Sequence, residues 1–259
     1  MTESALHLDL VAKQFGGLMA LNNVSFRLPK GRVLGLIGPN GAGKTTLLNV
    51  ISGLSRPSSG TIRLGVDDIT TWPAHRIAGE GGIRRTFQNI RMFRGMSVQG
   101  NVLAGYHSRM SAGPLGTILR SPRYRREERE AREKADEVLG FLGLLPFRER
   151  IAGDLSYGIQ RRVEIARALV SGPRVLLLDE PTAGMTPRET GEVMDLLLQL
   201  RERHMTMIVI EHKASFIMGL SDQVVVLNFG TVIADGTPAD VRQDAAVIDA
   251  YLGADDDHT

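Results

Sequence analysis

The stretch LSYGIQRR, Leu155 to Arg162, stands one helix ahead of VLLLDE, Val175 to Glu180, in a chain that already carries GPNGAGKTT at Gly38 to Thr46. A glycine-rich loop set between an apolar strand and a helix surrounds phosphate oxygens with backbone N–H groups. A Ser-Tyr-Gly turn that opens a further helix just before an acidic strand end reads as a second phosphate site. One chain does not easily bring both loops to a single nucleotide. The order of these three stretches therefore sets both the fold and the expectation of a paired subunit.

Working outward, RVLGLIG (Arg32 to Gly38) reads as a buried strand entering the loop, and TTLLNVISGL as the helix leaving it, stopped by Gly53 and RPSSG. VLLLDE is too apolar for anything but a strand buried on both faces. Near the N-terminus Leu6, Leu8 and Leu10 alternate with His7 and Asp9, and Val24, Phe26 and Leu28 with Ser25 and Arg27. This period of two gives a pair of half-buried antiparallel strands around an FGG turn. TIRL is a further short strand, GEGG a loop, and IRRTF the strand after it.

From Gln88 to about Gly153 the pattern changes to glycine-broken loops and a charged helix, EEREAREKADEVLGFLGLL, whose apolar face is Val138, Leu139 and Leu142. Glu128 with Arg132, and Glu130 with Lys134, stand at helical pairing distance. Such a charge run is most simply a solvated face; Arg120, Arg123, Arg125 and Arg126 are the residues that a nucleic-acid or lipid reading would have to use. Ser171 to Pro173 is a stop, and Thr186, Pro187 and Glu189 form a capping-box start for PRETGEVMDLLLQLRER. Strand TMIVIE, helix KASFIMGL and strands QVVVLN and TVIADG complete an α/β core. The C-terminal region, 240–259, reads as a helix and an acidic tail, its DDD disordered. No long internal repeat marks a fused pair, so 1–259 is expected to be a single domain.

The bulk properties agree. The 259 residues are 42% hydrophobic, ample for a core, and 31 Lys and Arg against 29 Asp and Glu leave a formal charge of only +2. A global nucleic-acid footprint is absent from that balance. Zero cysteine excludes disulfides and thiolate metal sites. The N-terminus lacks a basic start followed by an apolar run, which points to a chain that stays in the cytosol. No apolar stretch approaches the roughly 20 residues of a membrane-spanning helix.

The chemistry concentrates in few residues. Gly38, Gly41 and Gly43 permit the close wrap of the loop, with Pro39, Asn40, Ala42 and Thr46 completing it. Lys44 brings a positive charge to the β and γ phosphates and Thr45 a hydroxyl to Mg²⁺. Asp179 and Glu180 arrive at the carboxyl end of a parallel strand, where ligands sit. There Asp179 suits the hydration shell of Mg²⁺ and Glu180 the polarisation of an attacking water, worth about 10²- to 10⁴-fold in rate. A DE pair alone is often a helix cap; behind a phosphate loop the catalytic reading is the stronger. On their own Gln88 reads as a surface glutamine, His212 as a structural histidine at a strand end, and Phe15 as either a core residue or a face for a base.

The full set resembles the ATP-binding cassette family, over nearly the whole chain. The resemblance implies a phosphate-loop ATPase fold: a RecA-like mixed core, an N-terminal antiparallel β subdomain and a helical insertion at about 89–170 that includes the signature. It implies two subunits paired head to tail, as homodimer or heterodimer, each signature turn closing on its partner's ATP. Within that pattern RTFQN matches the family's glutamine loop, giving Gln88 a place at Mg²⁺ and catalysis. His212 takes the position of the γ-phosphate histidine and Phe15 that of the adenine-stacking aromatic. The signature departs from LSGGQ: Ser156 and Gly158 stand, but Tyr157 replaces a glycine and Ile159 the glutamine. TAGMT also carries Thr186 where an acidic residue is usual, which puts the coupling between the two sites in question.

The stretches FGGLMALNNVSF, RTFQNIRMFRGMSVQGNVL, the YG signature before RRVEIARAL, and VIDAYLG look like the longer ATP-binding subunit of branched-chain amino-acid importers. The loop HSRMSAGPLGTILRSPRYRRE is similar to that subunit's extension. The resemblance implies ATP and Mg²⁺ as cofactors, transmembrane permease subunits as partners, a solute-binding protein indirectly, no nucleic acid, and a place on the cytoplasmic face of the inner membrane. Related importers of urea, amides or aromatic acids carry similar cassettes. A soluble cassette ATPase would show a long coiled-coil insertion or two cassettes, and a non-catalytic sensing module would lose Lys44 or Glu180. Ile90, Met92 and Phe93 are either core residues or an apolar contact for a permease helix.

Overall fold

The computed structural model describes residues 4–107 and 122–252. The chain opens with β1 (Ser4–Phe15) and β2 (Leu18–Pro29), then β3 (Val33–Ile37), α1 (Lys44–Ile51), β4 (Ser59–Leu64), β5 (Asp67–Asp68), the one-turn α2 (Ala74–Arg76) and β6 (Ile83–Arg85). There follow α3 (Val98–Tyr106), α4 (Pro122–Phe141), α5 (Tyr157–Leu169), β7 (Val175–Asp179), α6 (Pro187–Glu202) and β8 (Met207–Ile210). The chain then runs through α7 (Ala214–Leu220), β9 (Gln223–Asn228), β10 (Thr231–Gly236), α8 (Pro238–Arg242) and α9 (Ala245–Leu252).

Two sheets form, one antiparallel in the order β2-β1-β4-β5 and one in the order β10-β9-β3-β8-β7-β6. In the second, β9, β3, β8, β7 and β6 pair parallel, and β10 closes the edge antiparallel to β9. The strand period of two divides its apolar runs between two cores. Val33 and Ile37, Leu176 and Leu178, and Met207 and Val209 face a core shared with α5, α6, α7 and the helices of the insertion. Leu34 and Leu36, Val175 and Leu177, and Ile208 and Ile210 face the other, filled by α1 and the antiparallel sheet. The expected α/β class, with its antiparallel β part and helical insertion, is what the chain adopts. The capping box of α6 also forms: Thr186 accepts from the Glu189 amide while the Glu189 carboxylate accepts from that of Thr186.

Local readings changed in four places. Leu10 does not share the inner face of Leu6 and Leu8: the register slips between Leu8 and Val11, and Leu10 is exposed with φ 50°, so Val11 takes the buried place. GEGG is not a loop, because α2 continues through a π-helical turn over Ile77–Gly81, steadied by an Arg76–Glu80 ion pair of 2.9 Å and by Arg76 lying over Trp72. The strand expected through Phe87 ends at Arg85, with one further bond from the Thr86 amide to the Leu177 carbonyl. On α4, Glu128 pairs with Arg132 as expected, but Lys134 turns to Glu137 rather than Glu130. Arg120, most of the HSRMSAGPLGTILRSPRYRRE loop and the DDD tail lie outside the described residues.

Gly35 sits mid-strand in β3, where a Cβ would run into the side chains of Ile217 on α7 and of Ser221 just past its end. That closeness seats α7 on the sheet. Gly35→Ala is expected to lower unfolding free energy by about 1–3 kcal/mol through overpacking, read from urea titration; an unchanged midpoint would show that α7 yields freely.

Candidate functional site

The phosphate loop rises between β3 and α1 in a conformation that its glycines permit. Gly38 and Gly43 have φ of 147° and 101°. A Cβ on Gly38 would strike the Leu227 carbonyl, and one on Gly43 would come within 2.7 Å of the Ala20 carbonyl. Lys44, almost buried, donates from Nζ to the carbonyls of Gly38 at 2.6 Å and Pro39 at 2.8 Å. Burial lowers its pKa, and the charges of Glu180 and Asp179 work against that shift.

A cavity of about 480 Å³ runs along this loop. Asn40 to Thr46 line it, together with Phe15, Gln88, Glu180 and His212. The structure brings these sequence-selected residues together from five separate elements. Gly38 and Pro39 do not line it but are tied to it through Lys44, and Asp179 is buried at the end of β7. Phe15 is half exposed, which excludes the core alternative for it.

Glu180 is the hub. Its Oε2 accepts from Gln88 Nε2 at 2.9 Å, and its Oε1 lies 2.9 Å from His212 Nε2. Its backbone has φ 49°, a left-handed conformation that a glutamate does not adopt without cost. Holding it there, the Glu180 amide bonds the Ile210 carbonyl, and Glu211 accepts from both the amide and the hydroxyl of Thr182 at 2.7 Å. Gln88 therefore faces the carboxylate of Glu180 rather than that of Asp179.

Asp179 has a different partner. Its Oδ2 lies 2.8 Å from Arg85 NH2 in an ion pair with both side chains 5% exposed, and Arg85 NH1 donates to Asn49 Oδ1 at 2.7 Å. Sequence reading missed Arg85 and Glu211; charged residues at the ends of apolar strands were the available signal. Hard oxygen donors, the Thr45 hydroxyl, the Asp179 carboxylate and the Gln88 amide oxygen, fit Mg²⁺ where phosphate oxygens and water complete the shell. Among the described residues no group of three His, Asp or Glu side chains forms a protein-only metal cage.

The signature residues stand apart from this cavity, at the start of α5. Ser156 is the N-cap residue, but its hydroxyl makes no capping bond, and the residue is exposed. Gly158 is buried against Glu189, where a Cβ would come within 2.6 Å of the carboxylate. Thr186, followed by the Gly158 amide and Arg162, holds that carboxyl below its ordinary range. Tyr157, 40% exposed, accepts from Arg161 NH2 at 3.1 Å, and Ile159 packs on the main core. Thr186 is the cap of α6, so its replacement of an acidic residue preserves the helix start.

Arg161, fully buried, was also missed. It donates to the carbonyls of Phe87 at 2.5 Å and Gln88 at 2.6 Å, and pairs with Glu164 at 2.8 Å. Glu164 in turn accepts from the amides of Phe87 and Arg91. One ion pair thus fixes the backbone around Gln88 to the signature helix.

The chain belongs to the ABC transporter family, whose model matches residues 21–183, and residues 231–257 match the model for branched-chain amino acid ATP-binding cassette transporters. It is 43% identical to the high-affinity branched-chain amino acid transport ATP-binding protein BraF of Pseudomonas aeruginosa, over 98% of this chain and 99% of that one. The corresponding protein LivG of Escherichia coli gives the same identity and coverage. Among solved structures, the ADP conformation of MJ1267, an ATP-binding cassette of an ABC transporter, superposes with a TM-score of 0.84 at 34% identity, covering 97% of this chain and all of that one. A nucleotide-free ATP-binding cassette from an ABC transporter superposes at 0.82 and 34% identity, over 96% of this chain and 98% of that one. The chain is accordingly an ATP-hydrolysing cassette, and no helix among its described residues is long and apolar enough to cross a membrane.

Arg161→Met is expected to cost about 3–5 kcal/mol in stability because Glu164 remains buried without its cation. The double variant Arg161→Met/Glu164→Met should recover part of that loss in urea unfolding. A double variant no more stable than the single one would show that the backbone contacts, not the charge pair, carry the effect.

Proposed function

We propose that this chain is the ATPase subunit of an importer of branched-chain or other hydrophobic amino acids, working with separate permease subunits and a second cassette. The observation that carries the reading is the Gln88–Glu180–His212 cluster at the phosphate loop, in a chain 43% identical along its length to branched-chain amino acid transport ATP-binding proteins.

In this reading the loop amides and Lys44 bind the β and γ phosphates, and Phe15 stacks on the adenine. Thr45, Asp179 and Gln88 would hold Mg²⁺, which when bound neutralises phosphate charge. Glu180 takes the proton of the attacking water; its contact with His212 keeps the carboxylate aimed at the cavity. Gln88, bonded to the same carboxylate, changes partner when a γ phosphate and its ion arrive. Ser156, Tyr157 and Gly158 lie outside the chain's own cavity, which supports their use on the nucleotide of a paired subunit. Completion of the site across a homodimer or heterodimer follows, on the cytoplasmic side of the inner membrane, with the solute-binding protein touched only indirectly.

Phe93 is 55% exposed, while Met92 packs partly into the core. Buried Asn101 clamps the Phe93 backbone from both sides, its Oδ1 accepting from the amide at 2.9 Å and its Nδ2 donating to the carbonyl at 3.0 Å. The ring lines a groove of about 320 Å³ together with Arg84, Glu164 and Arg167. A rigid exposed ring, five residues after Gln88, suits contact with a cytoplasmic helix of the permease.

Glu180→Gln is expected to retain ATP affinity and lose about 10²- to 10⁴-fold in turnover, whereas Lys44→Ala weakens ATP binding itself; wild-type hydrolysis by the Glu180 variant sinks the assignment. Phe93→Asp should leave the isolated subunit folded and able to bind ATP while abolishing copurification with the permease and amino-acid uptake. Unfolding of that variant, or normal assembly and transport, would place the contact elsewhere.

A further inference from the structure

The hairpin joining β9 to β10 turns in two residues, Phe229 and Gly230, between the paired Asn228 and Thr231. Both turn residues have positive φ, 44° and 76°. A two-residue turn of this kind is normally made by Asn-Gly or Asp-Gly, because a bulky side chain at its first position is strained. Phe229 is nevertheless there, and its side chain is not used by the fold: the residue is 85% exposed. Neither turn chemistry nor core packing accounts for a phenylalanine in this place.

Its surroundings supply a reason. The Gly230 amide donates to the Ala42 carbonyl of the phosphate loop at 3.0 Å, and the Asn22 amide donates to the Gly230 carbonyl at 2.8 Å. A Cβ on Gly230 would come within 2.6 Å of the Ala20 carbonyl, so the turn is wedged between β2 and the loop. Phe229 lines the same cavity as Phe15, Leu18 and Met19, so four of its apolar side chains stand with the phosphate loop around one space. A strained, exposed aromatic on a rigid mount beside a phosphate loop has the character of a base-contacting residue, since every nucleobase offers a flat face.

We propose that Phe229 is a second nucleobase-contacting residue, acting with Phe15 to hold the base of the bound nucleotide. The inference rests on the reading that this cavity holds ATP, and adds to it a residue that reports on the base and not on the phosphates. It assigns base affinity without base identity, because stacking on a ring does not read hydrogen-bonding edges.

The test compares ATP with inorganic tripolyphosphate, which has the phosphates and no base, as competitors for a fluorescent nucleotide analogue on the full chain. Phe229→Asn suits the turn, so its thermal midpoint is expected to equal or exceed that of the wild type. That variant should bind ATP about tenfold more weakly, about 1.4 kcal/mol, with tripolyphosphate affinity unchanged; GTP should weaken by a similar factor. Phe229→Tyr, which keeps the ring, should restore ATP binding. Unchanged ATP affinity in Phe229→Asn, or equal losses for ATP and tripolyphosphate, overturns the proposal, as does a variant that binds ATP normally and fails only in assembly. A wild-type chain that binds neither competitor would instead overturn the nucleotide reading itself.

Discussion

A strand buried on both faces can place polar groups only at its ends. That constraint organises this molecule. Leu34 and Leu36 of β3, and their counterparts in β7 and β8, are wholly buried in one core while alternate residues are buried in the other. The backbone of each strand is satisfied by its parallel neighbours, and the next residue that can carry charge lies just past the carboxyl end. The phosphate loop follows β3, Asp179 and Glu180 end β7, and Glu211 and His212 follow β8. Because β3, β8 and β7 are adjacent, the three ends converge, and the cluster around Glu180 is a consequence of strand order.

This is why so much of the site was legible in the sequence. An unbroken apolar run identifies a doubly buried strand, and the polar residues that terminate it are then placed by topology. The phosphate loop and Glu180 are read that way or by motif, whereas His212 stands out only through the family resemblance. What was illegible depends on partners distant in the chain. Arg85 looks like any basic residue in IRRTF until the fold sets it against Asp179, 94 residues on. Arg161 reads as an exposed position in a helix of mixed charge, yet it is fully buried because two backbone carbonyls and Glu164 await it. Leu10 fits the strand period perfectly, and a bulge opposite Gly60 expels it; a Cβ on that glycine would collide with the Leu10 carbonyl. Periodicity carries the regular part of a strand and is silent about slips.

The signature helix shows how departures from a motif are absorbed. Ile159, where the family has glutamine, is used as an apolar residue on the main core, and the neighbouring Gln160 holds the carbonyls of Gly153 and Leu155 at 3.2 and 2.7 Å. Tyr157 places its hydroxyl on Arg161, and a Cβ on Gly184, in the loop after the acidic pair, would stand in van der Waals contact with its ring at 3.8 Å. The substitutions thus tie the signature turn to its own subunit more than a pair of glycines would.

That tie bears on how two distant loops act together. Arg161 touches Tyr157 in the signature, the carbonyl of Gln88 in the glutamine loop, and Glu164, which holds the amide of Arg91 on the way to Phe93. Charge buried to this degree is rigid because every displacement strands a donor or acceptor away from water. On the proposed function, a shift of Gln88 toward a bound γ phosphate would therefore move the signature turn and the exposed Phe93 as one body. The helical insertion would swing rather than deform. Coupling of this kind needs no glutamine in the signature, only a buried pair strong enough to keep three backbone segments in register while Gln88 leaves the carboxylate of Glu180 for another partner.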